Sequence, residues 1–155
     1  GACTGLVVGL VAITPGAGFV PIWSAILIGG LVSPICCFTI SLLKKKLMID
    51  DALDAFGCHG IGGVWGGIAT GIFANRSIND VAKWDGLLYG DYKLFVAQIA
   101  GILITIAVAV GGTLICLGVV RIFTPLRVEE KEEKVGLDVS EHGESAYPTF
   151  NGLDS

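Results

Sequence analysis

Charge is what this sequence has least of. Only 15% of its 155 residues are Asp, Glu, Lys or Arg, against about 25% in an ordinary soluble domain, while 53% are hydrophobic. That balance excludes an average soluble domain and points to a polytopic membrane protein. No strongly basic surface offsets it. Residues 127–155 hold three basic and eight acidic side chains, and the rest of the chain holds seven and six, so a nearly neutral body carries an acidic tail and a nucleic-acid surface is excluded. Catalytic signatures are also missing. There is no G-x-S-x-G, no H-E-x-x-H, no Walker loop and no nucleophile with an evident base, so the chain is not expected to be an enzyme. The five cysteines (Cys3, Cys36, Cys37, Cys58, Cys116) are odd in number. None stands in C-x-x-C spacing, and all lie in apolar runs, as small buried hydrophobes do. A haem or metal site would need a second ligand beside His59, and the other histidine, His142, is far off in the tail. No cofactor and no metal are therefore expected. No fixed-period repeat occurs.

What is present is a series of apolar runs. Residues 1–14 stop at the turn signal Thr14-Pro15-Gly16. The run falls short of the ~20 residues that cross a bilayer and has neither a Met nor a basic leader, so the chain is expected to begin partway through a helix, as a fragment of something longer. Residues 21–43 carry no charge and end at Lys44-Lys45-Lys46. At 1.5 Å per residue they span roughly 35 Å, enough for a complete crossing. Pro34 in their interior is expected to kink it. A third span is expected over 52–74 and a fourth over 94–123, separated by the polar loop 75–93 with its interfacial aromatics Trp84, Tyr89 and Tyr92. The expected organisation is all-α, a transmembrane helix bundle over 1–126 followed by a tail over 127–155. Lys44, Lys45, Lys46, Arg121 and Arg127 fall on one side of the membrane and Arg76, Lys83 and Lys93 on the other. The first side is the expected cytoplasm, and the tail lies there. The charged start of the tail could extend the last helix; the default for such a segment is a solvated appendage.

The stretch DDALDAFGCHGIGGVWGGIATGIFA, residues 50–74, is the focus of the chain. A histidine within a membrane span is a functional-site hypothesis by default, yet a neutral imidazole can equally serve as packing glue between helices. Read as an α-helix, His59, Gly63, Gly67 and Gly71 fall four apart on one stripe, which permits a close helix neighbour and also clears side chains from around a pathway. Both readings stay open on that ground. Asp51 and Asp54 sit at the start of this span, where carboxylates cap and favour the positive end of the helix dipole. Asp54 lies about 7.5 Å along the axis from His59 and off its face, so no direct pair between them is expected. What remains is a lone titratable group in an apolar wall, suited to proton or small polar solute passage.

Residues 50–74 closely resemble the tenth-helix motif of the ammonium transporters of the Amt/Mep/Rh family. Three further blocks agree in order: GLVVGLVAITPGAGFV near the start, the basic end of the helix that follows, and GLDVSEHGESAYP in the tail. The resemblance covers essentially the whole chain. It implies the carboxyl-terminal part of an eleven-helix plasma-membrane protein, from within the eighth helix to the end, in which each protomer of a homotrimer passes ammonium through a two-histidine pore. It also implies that His59 is the second of those histidines and that its partner lies on a fifth helix in the N-terminal portion, which these residues do not include. By the same resemblance Ala55 lines the inner pore, where relatives often carry a larger aliphatic residue, and Asp54 matches a carboxylate at the cytoplasmic helix end. Gly136 to Tyr147, His142 among them, match a regulatory tail that packs on the cytoplasmic face, with a PII signalling protein as a partner in prokaryotic members. A sensor relative that signals through the tail, and an inert fragment without a complete pore, are the alternatives.

Overall fold

The structure is a computed structural model that describes residues 2–146. Among these every regular element is helical: α1 (Ala2–Ile13), a 3-10 turn (Thr14–Gly16), α2 (Ile22–Lys46), a π-helical turn (Phe56–Ile61), α3 (Gly62–Phe73), a second 3-10 turn (Leu87–Tyr89), α4 (Lys93–Phe123), α5 (Glu130–Val135) and α6 (Leu137–Ser140). The chain divides into two compact units, Gly1–Ala107 and Val108–Ser155, with the boundary inside α4.

In the first unit α1, α2 and α3 pack on one another. Helix α2 presents Ser24, Ile28, Val32 and Cys36 to the core, four residues apart and hence on one face. They meet Val8 and Ala12 of α1, Cys58 of the π-turn and Ala69 of α3. The two buried hydroxyls are satisfied locally, Ser24 Oγ donating to the Pro21 carbonyl at 2.7 Å and Thr70 Oγ1 to the Gly66 carbonyl at 2.8 Å. Trp65 Nε1 donates across to the Ile28 carbonyl at 3.1 Å and ties α3 to α2. Helix α2 runs through Pro34 without interruption. It and α4 are long and apolar enough to cross a membrane, and α4 buries none of its 31 residues. A helix apolar all round in this way is suited to lipid or to further protein.

Glycine decides where α3 can be approached. A Cβ on Gly66 would run into the Ala12 carbonyl oxygen, and one on Gly71 would lie 2.9 Å from Phe95 Cα of α4. A Cβ on Gly67 would lie 3.0 Å from Ile102 Cδ1 of the same helix. The polar loop is pinned back on the helices, with Asn75 N donating to the Phe19 carbonyl at 2.8 Å and Gly86 N to the Ala74 carbonyl at 2.7 Å.

In the second unit α4 ends at Phe123 and does not continue into the charged run as the sequence suggested. Pro125 accounts for the break, because the residue before a proline is pushed out of the helical region. A new helix starts at a capping box formed by Glu129 and Glu132, stiffened by Lys134 Nζ to Glu130 Oε1 at 2.6 Å. Gly136 (φ +107°) and Gly143 (φ +66°) then turn the chain, positions that only glycine takes without strain. Asp138 Oδ2 accepts the Ala146 N–H at 2.9 Å, and its carbonyl accepts the Glu144 N–H at 3.0 Å.

Candidate functional site

The structure differs from the straight helix expected over residues 52–74. Ala52 and Leu53 form a turn, Ala55 enters a π-helix over Phe56–Ile61, and the regular α-helix runs from Gly62. Asp51 occupies the entrance: its Oδ1 accepts the Ala55 N–H and its Oδ2 the Phe56 N–H, both at 2.9 Å. It therefore satisfies two of the donors that a helix start leaves free. Asp54 does something else. It sits in the left-handed region (φ +56°), which Asp tolerates better than most residues, and its Oδ1 lies 2.7 Å from Lys44 Nζ at the end of α2. The expected capping role thus belongs to Asp51, and Asp54 joins the first turn of this segment to the basic end of α2.

His59 is exposed on the outer side of the π-turn, whereas its neighbour Cys58 is buried in the core. It stands on the wall of an apolar groove of about 500 Å³ lined by Val7, Leu10, Val11, Thr14, Pro15 and Gly63. The imidazole makes no hydrogen bond to any described residue, which leaves one ring nitrogen to donate and the other to accept. Gly63 contributes openness, since a Cβ there would meet nothing within 4 Å. Ala55 is exposed as well, but it does not line this groove. Val7, Leu10, Val11 and Thr14 repeat at helical i, i+3, i+4, i+7 spacing, and that spacing was the available signal for the α1 wall, which sequence reasoning missed.

The glycine stripe separates into two functions. Gly63 faces the groove with His59, while Gly67 and Gly71 receive α4. A second cavity, of about 210 Å³, lies at the loop end among Pro15, Phe19, Thr70, Lys83, Trp84 and Gln98 and includes none of the expected site residues. In the tail Gly136 and His142 lie in the second unit, on the turn around Asp138, and Tyr147 lies outside the described residues. Hydrogen bonds from the backbone N–H groups of Ala146 and Val139, helped by the nearby His142, hold the Asp138 carboxyl below the usual carboxylate range. Among the described residues no cluster of three or more His, Cys, Asp or Glu could hold a metal ion.

Comparison with known proteins places this arrangement. The model of the Ammonium Transporter Family matches residues 1–147. An ammonium transporter of Bacillus subtilis (strain 168) is 50% identical over 147 residues, which cover 95% of this chain and 36% of that protein. Ammonium transporter Amt1 of Archaeoglobus fulgidus is 46% identical, over 95% of this chain and 37% of its own length. The crystal structure of Candida albicans Mep2 superposes with a TM-score of 0.72 at 35% identity, over 85% of this chain and 30% of that one. A structure described as a sensor Amt protein superposes with a TM-score of 0.76 at 30% identity, over 89% of this chain and 33% of that one. The chain thus spans about a third of the length of the relatives it matches. Several apolar helices, a histidine on a groove between α1 and the π-turn, and a match along nearly the whole sequence agree in one conclusion: the chain belongs to the ammonium transporter family.

Proposed function

We propose that this chain is the carboxyl-terminal part of a transporter that passes ammonium across the membrane, and that His59 is the side chain it contributes to the conduction path. The observation that carries this reading is an imidazole with no hydrogen-bond partner among the described residues, on the wall of an apolar groove, in a chain of this family. Desolvating an ammonium ion in such a wall costs several kcal/mol per ion even after relaxation. Neutral ammonia needs only a hydrogen-bond partner, and a neutral imidazole offers a donor at one nitrogen and an acceptor at the other. The ion therefore gives up its proton before the narrow part, and His59 receives the neutral species. A second histidine from the N-terminal portion completes the pair, and Ala55 lies one turn inward. Three copies assemble, with residues 127–155 on the cytoplasmic side of the plasma membrane, where a PII signalling protein can reach the exit.

The test is electrical. In the full-length protein, His59→Ala is expected to abolish or strongly reduce ammonium-driven current in proteoliposomes, and an undiminished, equally selective current would overturn the reading. Residues 1–155 alone are expected to give no selective flux. The resemblance to the sensor Amt structure supports a second reading, in which ammonium is reported through the tail. Deleting residues 136–155 would then abolish signalling and leave current intact, and loss of neither would exclude it.

A further inference from the structure

The direction in which His59 points is set within the chain. Downstream, α3 cannot rotate: Trp65 Nε1 is bonded to the Ile28 carbonyl at 3.1 Å, Gly66 lies under the Ala12 carbonyl, and Gly71 lies against Phe95. Upstream, Asp51 holds the Ala55 and Phe56 N–H groups at 2.9 Å, and Asp54 is 2.7 Å from Lys44. An α-helix advances 100° per residue, so a chain clamped at both ends must absorb any angular mismatch between the clamps. The wide turn with i→i+5 bonding takes in one residue more than an α-turn does. Phe56–Ile61 are those residues, and His59 is inside them.

Gly57 decides how that turn lies. A Cβ at this position would run into the Ile40 side chain of α2. With Ile40 opposite, the bare backbone at Gly57 lets the turn rest on α2, burying Cys58 and leaving His59, the next residue, exposed toward the groove. We propose that the π-turn is the positioning device for His59 and that Gly57, seated on Ile40, is its positioning residue. This rests on the pore role of His59 for its functional consequence and on geometry alone for its structural one.

The experiment uses the purified full-length transporter and two readouts, the rate at which diethyl pyrocarbonate modifies His59, followed by peptide mass spectrometry, and ammonium-driven current. Gly57→Ala is expected to change the modification rate severalfold and to lower current by up to about a hundredfold, the scale of a 1 Å misplacement. Adding Ile40→Ala, which removes the atoms the new methyl meets, is expected to return both toward wild type. An unchanged modification rate in Gly57→Ala overturns the proposal, and so does a changed rate that Ile40→Ala does not restore. A changed and restored rate with unaffected current upholds the positioning role and instead refutes the pore role of His59. If Gly57→Ala alone does not fold, recovery of folded protein with wild-type His59 reactivity in the double variant supports the same contact, and failure to recover overturns it.

Discussion

At the scale of single residues, the two carboxylates closest before His59 have different tasks. Asp51 spends both oxygens on backbone donors, whereas Asp54 meets a lysine that is 43% exposed. A cap of this kind is worth about 1 kcal/mol, and an ion pair in contact with water is worth less. Asp51→Ala is therefore expected to lower thermal stability in detergent clearly more than Asp54→Ala does, with Asp51→Asn recovering part of the loss because an amide oxygen still accepts. Equal melting temperatures for the two alanine variants would refute that ranking. Asp138 offers a test by pH. Its carboxyl is held below the ordinary value of 3.8 by the Ala146 and Val139 N–H groups. A lowered folded value means that the folded state binds its proton less readily than the unfolded state, so the contribution is fully present above the unfolded value and is lost as pH falls through the folded one. Amide exchange at Ala146, corrected for its intrinsic pH dependence, should keep its protection down to about pH 3.8 and lose it only below. Asp138→Asn should weaken that protection above that range and make little difference below it, where the wild-type carboxyl is protonated.

At the scale of elements, glycine on α3 acts by position. Gly66 has the Ala12 carbonyl against it, and Gly63 has nothing within 4 Å. Overpacking a tight contact typically costs 1–3 kcal/mol, so Gly66→Ala should destabilise the protein, measured as a lower melting temperature. Gly63→Ala should leave stability nearly unchanged and reduce conduction by narrowing the space beside His59. Opposite rankings in the two assays would contradict the division of the stripe. The sequence made the end of α2 legible through its three lysines and bounded the last apolar run at residue 123, where α4 ends, but the stop at Pro125 was not read and the charged run was left free to extend the helix. It also made His59 legible, as an ionisable group in an apolar run. The π-turn was not legible. Among residues that are nearly all glycine or apolar, no polar residue marks one extra position, and the insertion follows from contacts on α1, α2 and α4 that only the folded chain brings together. The roles of Asp51 and Asp54 were interchangeable in sequence for a related reason. Either could cap, and the left-handed backbone at Asp54 with Lys44 opposite it decided which did.

At the scale of the whole molecule, the described helices differ sharply in what they need from their surroundings. Helix α4 is apolar along its length and has no fully buried residue, with Phe95 and Ile102 resting against Gly71 and Gly67; α2 is apolar with one buried face. The segment that bears His59 is different. Its π-turn and α3 amount to six and twelve residues, fewer together than the ~20 a bilayer crossing needs, and glycines occupy seven of those positions. Alone, it is a weak candidate to partition into lipid, since each glycine bares backbone and the imidazole asks for a partner. The consequence concerns biogenesis: α2 and α4 can enter the membrane on their own hydropathy during synthesis, whereas the histidine segment is retained there by its neighbours. Placed singly in a host protein for glycosylation mapping, residues 22–46 and 93–123 should integrate efficiently. Residues 50–74 should integrate poorly alone and better when α1 and α2 precede them, and efficient integration of the isolated segment would show that it does not depend on them.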